Sequence, residues 1–401
     1  MSSLALFGGT PVRRTPFAQW PVFDDAERHA VLEVLDSGAW GGYSPKVPEF
    51  EQRFAAFHEA RFGISTANGT VSLEAALAAA GIGPGDEVVV PPITFIATAS
   101  AVLRVGAVPV FADIEPATFN LDPRRFAEAI TPHTRGVIPV HFAGHPCDFD
   151  AILEIAARHH LVVIEDAAHA HGASWRGRKA GSFGHFGSFS FQQSKNMTAG
   201  EGGILTASDP DLAERARSLS NHGRRTGGAW FEHVRLGSNA RLTGWQAAIL
   251  LAQLDRLPLQ LEQRARNAAI LSRKLAGNAL VTPPAVDARV TAHGYHLYTM
   301  RLDSEIAARV PKDRITEALA AEGIPGISTY PYPLYANRLF ADHPHRRLDC
   351  PEAERFCREC FWVSQQVLLA DEPDLDDFVL AVEKVRDHAA ELESIGAGAA
   401  S

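Results

Sequence analysis

Cysteine is scarce, at four in 401 residues. That excludes a disulfide framework and fits a reducing, cytoplasmic setting. Long hydrophobic runs are missing. No stretch reaches the 18 or so apolar residues of a spanning helix, so no membrane span is expected. The opening MSSLALFGGTPVRR puts no basic segment ahead of its short apolar run, and it does not read as a secretion signal. Basic blocks are missing as well. Asp and Glu outnumber Lys and Arg, the net charge is −9, and electrostatic binding to nucleic acid is not expected. What remains is a soluble globular balance, 46% hydrophobic and 21% charged, with ample material for a core. The length favours one large domain and a smaller one.

From about 60 to 210 the pattern alternates. Short β-rich runs fall at Phe62–Thr66, Glu87–Val90, Val108–Phe111, Gly136–Val140, Leu161–Ile164, Gly187–Phe191 and Gly203–Thr206. Helix-like segments separate them. In Val71–Ala80, for example, Leu73, Ala76, Leu77 and Ala80 share one face. Strands separated by helices predict βαβ units and a largely parallel sheet. Residues 242–275 read as one long helix connecting domains. The chain after about 276 turns to helices and short strands, with a Pro/Tyr cluster at Tyr330–Tyr335. The expected division is 1–275 and 276–401, and the final GAGAAS is expected to fray.

Ligands of open parallel sheets gather at the carboxyl ends of the strands, and three such ends carry unusual residues. In STANGTVSLEAAL a strand ends near Thr66, and Gly69-Thr70 opens a helix whose N-terminal N–H groups favour an anion. In LVVIEDAAHAHGA, Glu165 and Asp166 point to opposite faces of a strand end. In GSFSFQQSKNMTAGEGG, Ser190 and Lys195 follow a strand, and glycines surround the lysine. Together the ends ask for one molecule with an anionic group, a cationic ring nitrogen and an electrophilic carbonyl. Pyridoxal 5′-phosphate has all three, and a lysine Schiff base with an aspartate on the pyridinium nitrogen is the protein's expected contribution.

These motifs resemble the DegT/DnrJ/EryC1/StrS aminotransferases, fold-type I pyridoxal-phosphate enzymes, many of which act on keto sugars and keto cyclitols. The likeness runs from LALFGGTPV and WPVFDDAERHAVLEVLDSGAWGG through PPITFIATASAV and PVHFAGHPCDFDAI to GSNARLTGWQAAI. Its N-terminal elements are similar to the branch of glutamine-dependent scyllo-inosose aminotransferases and 3-amino-5-hydroxybenzoate synthases. The resemblance implies an α/β fold, with a mostly parallel central sheet between helices and a smaller C-terminal α+β domain. It also implies roles. Lys195 would carry the cofactor covalently and move protons, and Asp166 would pair with the ring nitrogen. Ser190 and the backbone of Gly69 and Thr70 would bind the phosphate, and Phe95 would lie against the ring. His169, where the family often has glutamine, would sit beside the phenolic oxygen. Asn239 would reach the phosphate of a neighbouring subunit, so a homodimer with shared sites is expected. An amino donor, L-glutamine or L-glutamate, and a keto acceptor are the implied small-molecule partners.

The chain departs from many nucleotide-sugar members in having Thr329-Tyr330 where they carry a His-Tyr pair. Lys195 argues against relatives that place histidine there. Two other readings stay open: a 3-amino-5-hydroxybenzoate synthase-like dehydration and aromatisation, and a non-catalytic cofactor-binding regulator, although no basic DNA-binding module is visible. No metal site is expected. His141, His145 and Cys147 do not make a recognised zinc spacing, and Cys350, Cys357 and Cys360 read as buried packing. GIGPGD at 81–86 follows a helix and precedes a strand, the reverse of a dinucleotide fingerprint. Arg224 and Arg225 read equally as donor-carboxylate ligands or as surface-loop residues.

Overall fold

The computed structural model describes residues 3–396, so the expectation for the tail falls almost wholly outside the described residues. Nine strands precede the long helix: β1 (Phe62–Thr66), β2 (Glu87–Val90), β3 (Val108–Phe111), β4 (Thr134–Val137), β5 (Val162–Asp166), β6 (Ser174–Trp175), β7 (Arg178–Lys179), β8 (Phe186–Ser190) and β9 (Gly203–Ala207). Five follow it: β10 (Val281–Thr282), β11 (Val290–Ala292), β12 (Leu297–Leu302), β13 (Arg346–Arg347) and β14 (Cys360–Ser364). The main sheet has the order β1-β9-β8-β5-β4-β2-β3-β13. Only β9 runs antiparallel to its neighbours, and every other pairing in this sheet is parallel.

Helices cover both faces, which is why these strands read as nearly unbroken apolar runs. Val88 and Val90 pack into one layer with Leu73, Ala76 and Val102, while Val89 packs into the other with Phe126, Phe149 and Ile152. That alternation follows from the two-residue period of a strand. The observed strands lie within a few residues of the expected runs. The largest shift is at β4, which ends at Val137, short of the expected Val140. The chain there turns at Phe142–Gly144.

The helix Gly69–Ala79 is capped by Asn68, whose side chain accepts from the Val71 N–H at 2.9 Å. The long helix is Gly244–Lys274, 31 residues. The Gln246 side chain accepts from the Thr243 N–H at 3.0 Å at its start, and its inner face carries Ala247, Leu250, Leu257, Ala268 and Leu271. Beyond it, β10, β12 and β14 form an antiparallel sheet. Their core holds Tyr298, Met300, Phe361 and Phe378, and it also takes Leu4 and Phe17 from the start of the chain. The segment after residue 276 returns to the main sheet at β13, where Arg346 pairs with Glu87 at 3.1 Å, and β11 pairs with β6.

Candidate active site

The three strand ends singled out in the sequence lie along one edge. Asp166 on β5 sits beside Ser188 on β8, and Ser190 pairs with Gly203 on β9, which also pairs with Thr66 on β1. This is the carboxyl edge of the parallel strands.

Gly69 touches β8 so closely that a β-carbon there would lie 2.7 Å from the Cβ of Ser190. A β-carbon on Gly203 would lie 2.5 Å from the backbone of Asn68. Only glycine permits either approach. The result is a cradle of Gly69, Thr70 and Ser190 at the N-terminus of an 11-residue helix, where the first N–H groups have no partner inside the helix.

Glu165 and Asp166 divide as the strand period requires. Glu165 is fully buried. It accepts from the N–H groups of Phe183 and Gly184, each at 2.7 Å, and of Gly181 at 2.6 Å. His141 Nε2 approaches the same carboxylate at 3.2 Å. Glu165 therefore pins the loop 181–184. Asp166 is 6% exposed on the site side. Its Oδ2 accepts from Thr98 Oγ1 at 2.7 Å, and its Oδ1 from the Ala168 N–H at 3.2 Å. All its hydrogen-bond donors are neutral.

Lys195 ends a tight turn in which its own N–H donates to the Gln192 carbonyl at 2.9 Å. Desolvation brings its ammonium down to about 8, against the opposing pull of the Asp166 charge. His169 is buried and its Nδ1 accepts from the Ala143 N–H at 3.3 Å, which leaves the ring proton on Nε2. Burial first, and the charge of Lys195 next, hold its pKa well below the ordinary histidine value. His296 packs on His169 with ring centroids 4.3 Å apart, and burial first, then His169 and then Lys195, hold its pKa well below the ordinary histidine value. Chemically, the edge offers an anion cradle, an anionic acceptor for a cation, and an amine poised to lose its proton.

The DegT/DnrJ/EryC1/StrS aminotransferase family model matches residues 21–382. The chain belongs to that family. A Streptoalloteichus tenebrarius protein assigned as an L-glutamine:3-amino-2,3-dideoxy-scyllo-inosose aminotransferase is 43% identical over 408 residues, covering 96% of this chain and 98% of that protein. The 3-amino-5-hydroxybenzoate synthase of Amycolatopsis mediterranei is 37% identical over 376 residues, covering 90% and 96%. The crystal structure of a 3-amino-5-hydroxybenzoic acid synthase superposes with a TM-score of 0.88 at 35% identity, over 95% of this chain and all of that one. The chain is thus an aminotransferase of the fold-type I architecture.

The remaining expected site residues of this family member sit further out. Phe95, after β2, is 60% exposed. Asn239 is exposed and bridges to Asn221, and among the described residues no hydrogen bond joins it to Gly69, Thr70 or Ser190. Arg224 donates to the Tyr43 hydroxyl and to the Trp230 carbonyl, both at 2.9 Å. Those contacts tie it to its own loop and to Tyr43. His141 and Cys147, set aside as zinc ligands, instead buttress Glu165: the Cys147 N–H donates to His141 Nδ1 at 3.2 Å. Among the described residues no group of three His, Cys, Asp or Glu side chains could hold a metal, and no helix is long and apolar enough to cross a membrane.

Sequence reasoning missed Thr98 and His296, and it marked Tyr330 without placing it near Asp166. The Tyr330 phenol is pushed up by burial and then by the charge of Asp166, and its ring packs on Trp362 with centroids 4.9 Å apart. The spacing Thr94–Thr98 on a helix opening was a readable signal, since the two hydroxyls sit 3.0 Å apart in line with Asp166. Nothing local marks His296.

Proposed function

We propose that this protein is a pyridoxal 5′-phosphate-dependent aminotransferase that moves the amino group of L-glutamine or L-glutamate to a keto cyclitol or keto sugar, in the making of aminocyclitols or amino sugars. The observation that carries the reading is that Lys195, its pKa lowered to about 8, and the buried, neutrally bonded Asp166 share one sheet edge with a cradle that a β-carbon would fill. Those three features suit an aldehyde, a pyridinium nitrogen and a phosphate. They fit the cofactor.

When bound, the cofactor supplies an aldehyde that captures amines and a ring that takes up the electron pair released at the donor's α-carbon. The protein's work surrounds it. Gly69, Thr70 and Ser190 hold the phosphate through backbone N–H groups and a hydroxyl. Asp166, oriented by Thr98, keeps a proton on the ring nitrogen. His169, its Nδ1 already engaged, presents Nε2–H to the phenolic oxygen. Phe95 covers the ring. With the cofactor bound, Lys195 Nζ would take the proton from the donor's α-carbon and deliver it to the cofactor's former aldehyde carbon, across the intervening nitrogen, and would do the reverse for the acceptor. A proton carrier with a pKa near the working pH is best suited to that.

A second copy of the chain completes the site in this reading, with its Asn239 at the phosphate. Support comes from an exposed apolar run in the same loop region: Trp230 is 56%, Phe231 85% and Leu236 98% exposed, and such surfaces mark contact sites. The inosose aminotransferase relative favours a keto cyclitol as acceptor. The synthase relative and the superposed synthase structure favour a second reading, dehydration and aromatisation of an aminated ring. The test is to load the protein, add glutamine, and follow the cofactor spectrum, then offer a panel of keto cyclitols and identify the product. Conversion to the pyridoxamine form followed by an aminated cyclitol supports the first reading. An aromatic product supports the second. A spectrum unmoved by glutamine or glutamate overturns the first reading, and an aminated ring that is not aromatised overturns the second.

A further inference from the structure

Arg264 lies on the long helix and is completely buried. It makes no salt bridge among the described residues. Nε and Nη2 donate to Gln365 Oε1 at 3.0 and 2.6 Å, Gln260 Oε1 lies 3.5 Å from Nη2, and Nη1 has no partner. A buried guanidinium without a carboxylate is costly. Burial alone lowers its pKa to about 9. Something else in the fold must use that charge.

The next group along is Trp20, whose ring centroid is 5.4 Å from Cζ of Arg264. A cation over an indole face is attracted by the ring, and it draws electron density away from the N–H, which becomes a better donor. That N–H donates to the Gln193 carbonyl at 2.8 Å. Gln193 is a central residue of the turn that Lys195 closes through its bond to Gln192. Trp20 is itself held on both sides. Phe17 is set in the C-terminal core, and the Val22 carbonyl accepts from Gln253 Nε2 at 2.9 Å and Arg256 Nη1 at 3.1 Å. The N-terminal segment is thus a strap fixed at both ends, and its one indole reaches the lysine's turn.

We propose that Trp20 and Arg264 are positioning residues for Lys195: the buried guanidinium holds and polarises the indole, and the indole fixes the turn from which the lysine projects. Neither touches the reacting atoms. Their effect is to keep the ε-amine in its desolvated place, facing Asp166, His169, His171 and His296.

The test does not depend on the proposed function, because it reads the amine itself. The cofactor-free, full-length chain is labelled with a limiting acylating reagent across a pH series, and Lys195 is quantified by peptide mass spectrometry. Trp20→Phe keeps a ring and removes the N–H donor. A freed turn solvates the amine, and its labelling midpoint moves up toward the ordinary lysine value of about 10.4. For a rise of one pH unit, labelling at pH 8 falls about five-fold. Amide exchange in 192–197 quickens, and in the loaded enzyme kcat falls while the donor KM holds. Arg264→Lys, which keeps the charge and loses the planar fork, shifts the midpoint in the same direction by a smaller amount. Arg264→Met shifts it without lowering the melting temperature, since an unpaired buried charge has been removed. A wild-type midpoint and exchange rate in whichever of these variants fold overturns the proposal. A shift on changing Arg264 with none on changing a folded Trp20→Phe overturns the indole link.

Discussion

Two adjacent carboxylates with opposite duties make a sharp prediction. Replacing Glu165 by glutamine is expected to unfold the protein more easily without destroying the chemistry, and replacing Asp166 by asparagine is expected to do the converse. The magnitudes follow from the contacts. Glu165 has no exposure and answers four donors: three backbone N–H groups and His141. Because His141 Nδ1 accepts from Cys147, its proton is on Nε2, and it too donates to the carboxylate. A glutamine amide can face its oxygen to Phe183 and Gly184, but its NH2 then meets the Gly181 N–H and the His141 N–H. Both of those buried donors are left unmet, at about 1–3 kcal/mol each, so the loss is on the order of 2–6 kcal/mol.

The Asp166→Asn change avoids that conflict. The new amide oxygen can accept from Ala168, and the NH2 can donate to the Thr98 hydroxyl, which accepts as readily as it donates. Stability should change by about 1 kcal/mol or less. What disappears is the negative charge at the ring nitrogen. Unit charges about 4 Å apart at an effective dielectric of ~20 interact by about 4 kcal/mol, roughly a thousandfold in rate. The assays are a denaturant titration of each variant and single-turnover conversion with glutamine. A Glu165→Gln protein as stable as wild type, or an Asp166→Asn protein that turns over normally, would refute the division of faces.

Three further outcomes are expected. Gly69→Ala forces a β-carbon to within 2.7 Å of Ser190, so a cofactor titration followed by fluorescence should show affinity reduced at least about tenfold, with about 1–3 kcal/mol of stability lost to overpacking. The lowered pKa of Lys195, about 8, means that the unfolded chain binds more protons between there and about 10.4. Stability of the cofactor-free protein should therefore rise with pH across that window, and the rise should be absent in Lys195→Met when the two are compared by thermal melting. Lys195→Ala and Asn239→Asp should each be nearly inactive, yet a random co-expressed mixture should recover about a quarter of wild-type activity, because half the dimers are hybrid and each hybrid has one intact site; no recovery refutes a shared site.

Much of this was legible in the sequence, for identifiable reasons. Val88-Val89-Val90 and Phe62–Thr66 are short β-rich runs between helical periods, and the sheet that buries both faces makes such runs unmistakable. The cradle was legible because Asn68-Gly69-Thr70 joins a strand to a helix, with Asn68 as its cap. That Lys195 and Asp166 share one edge followed from the strand ends that carry them. What was not legible depends on distant segments. β13 is only Arg346–Arg347, too short for any period. Tyr330 reaches the neighbourhood of Asp166 through the C-terminal sheet, and Trp20 reaches Gln193 across 173 residues. Local pattern carries no trace of such meetings.

The central claim is that Lys195 is the residue that holds the cofactor. The direct measurement is borohydride reduction of the loaded protein, followed by digestion and peptide mapping. The phosphopyridoxyl group should be found on Lys195, within the peptide that contains SKNMTAGEGG. Lys179, a half-buried lysine whose pKa burial also lowers, is the natural competitor. A label there, or on any lysine other than Lys195, would contradict the account.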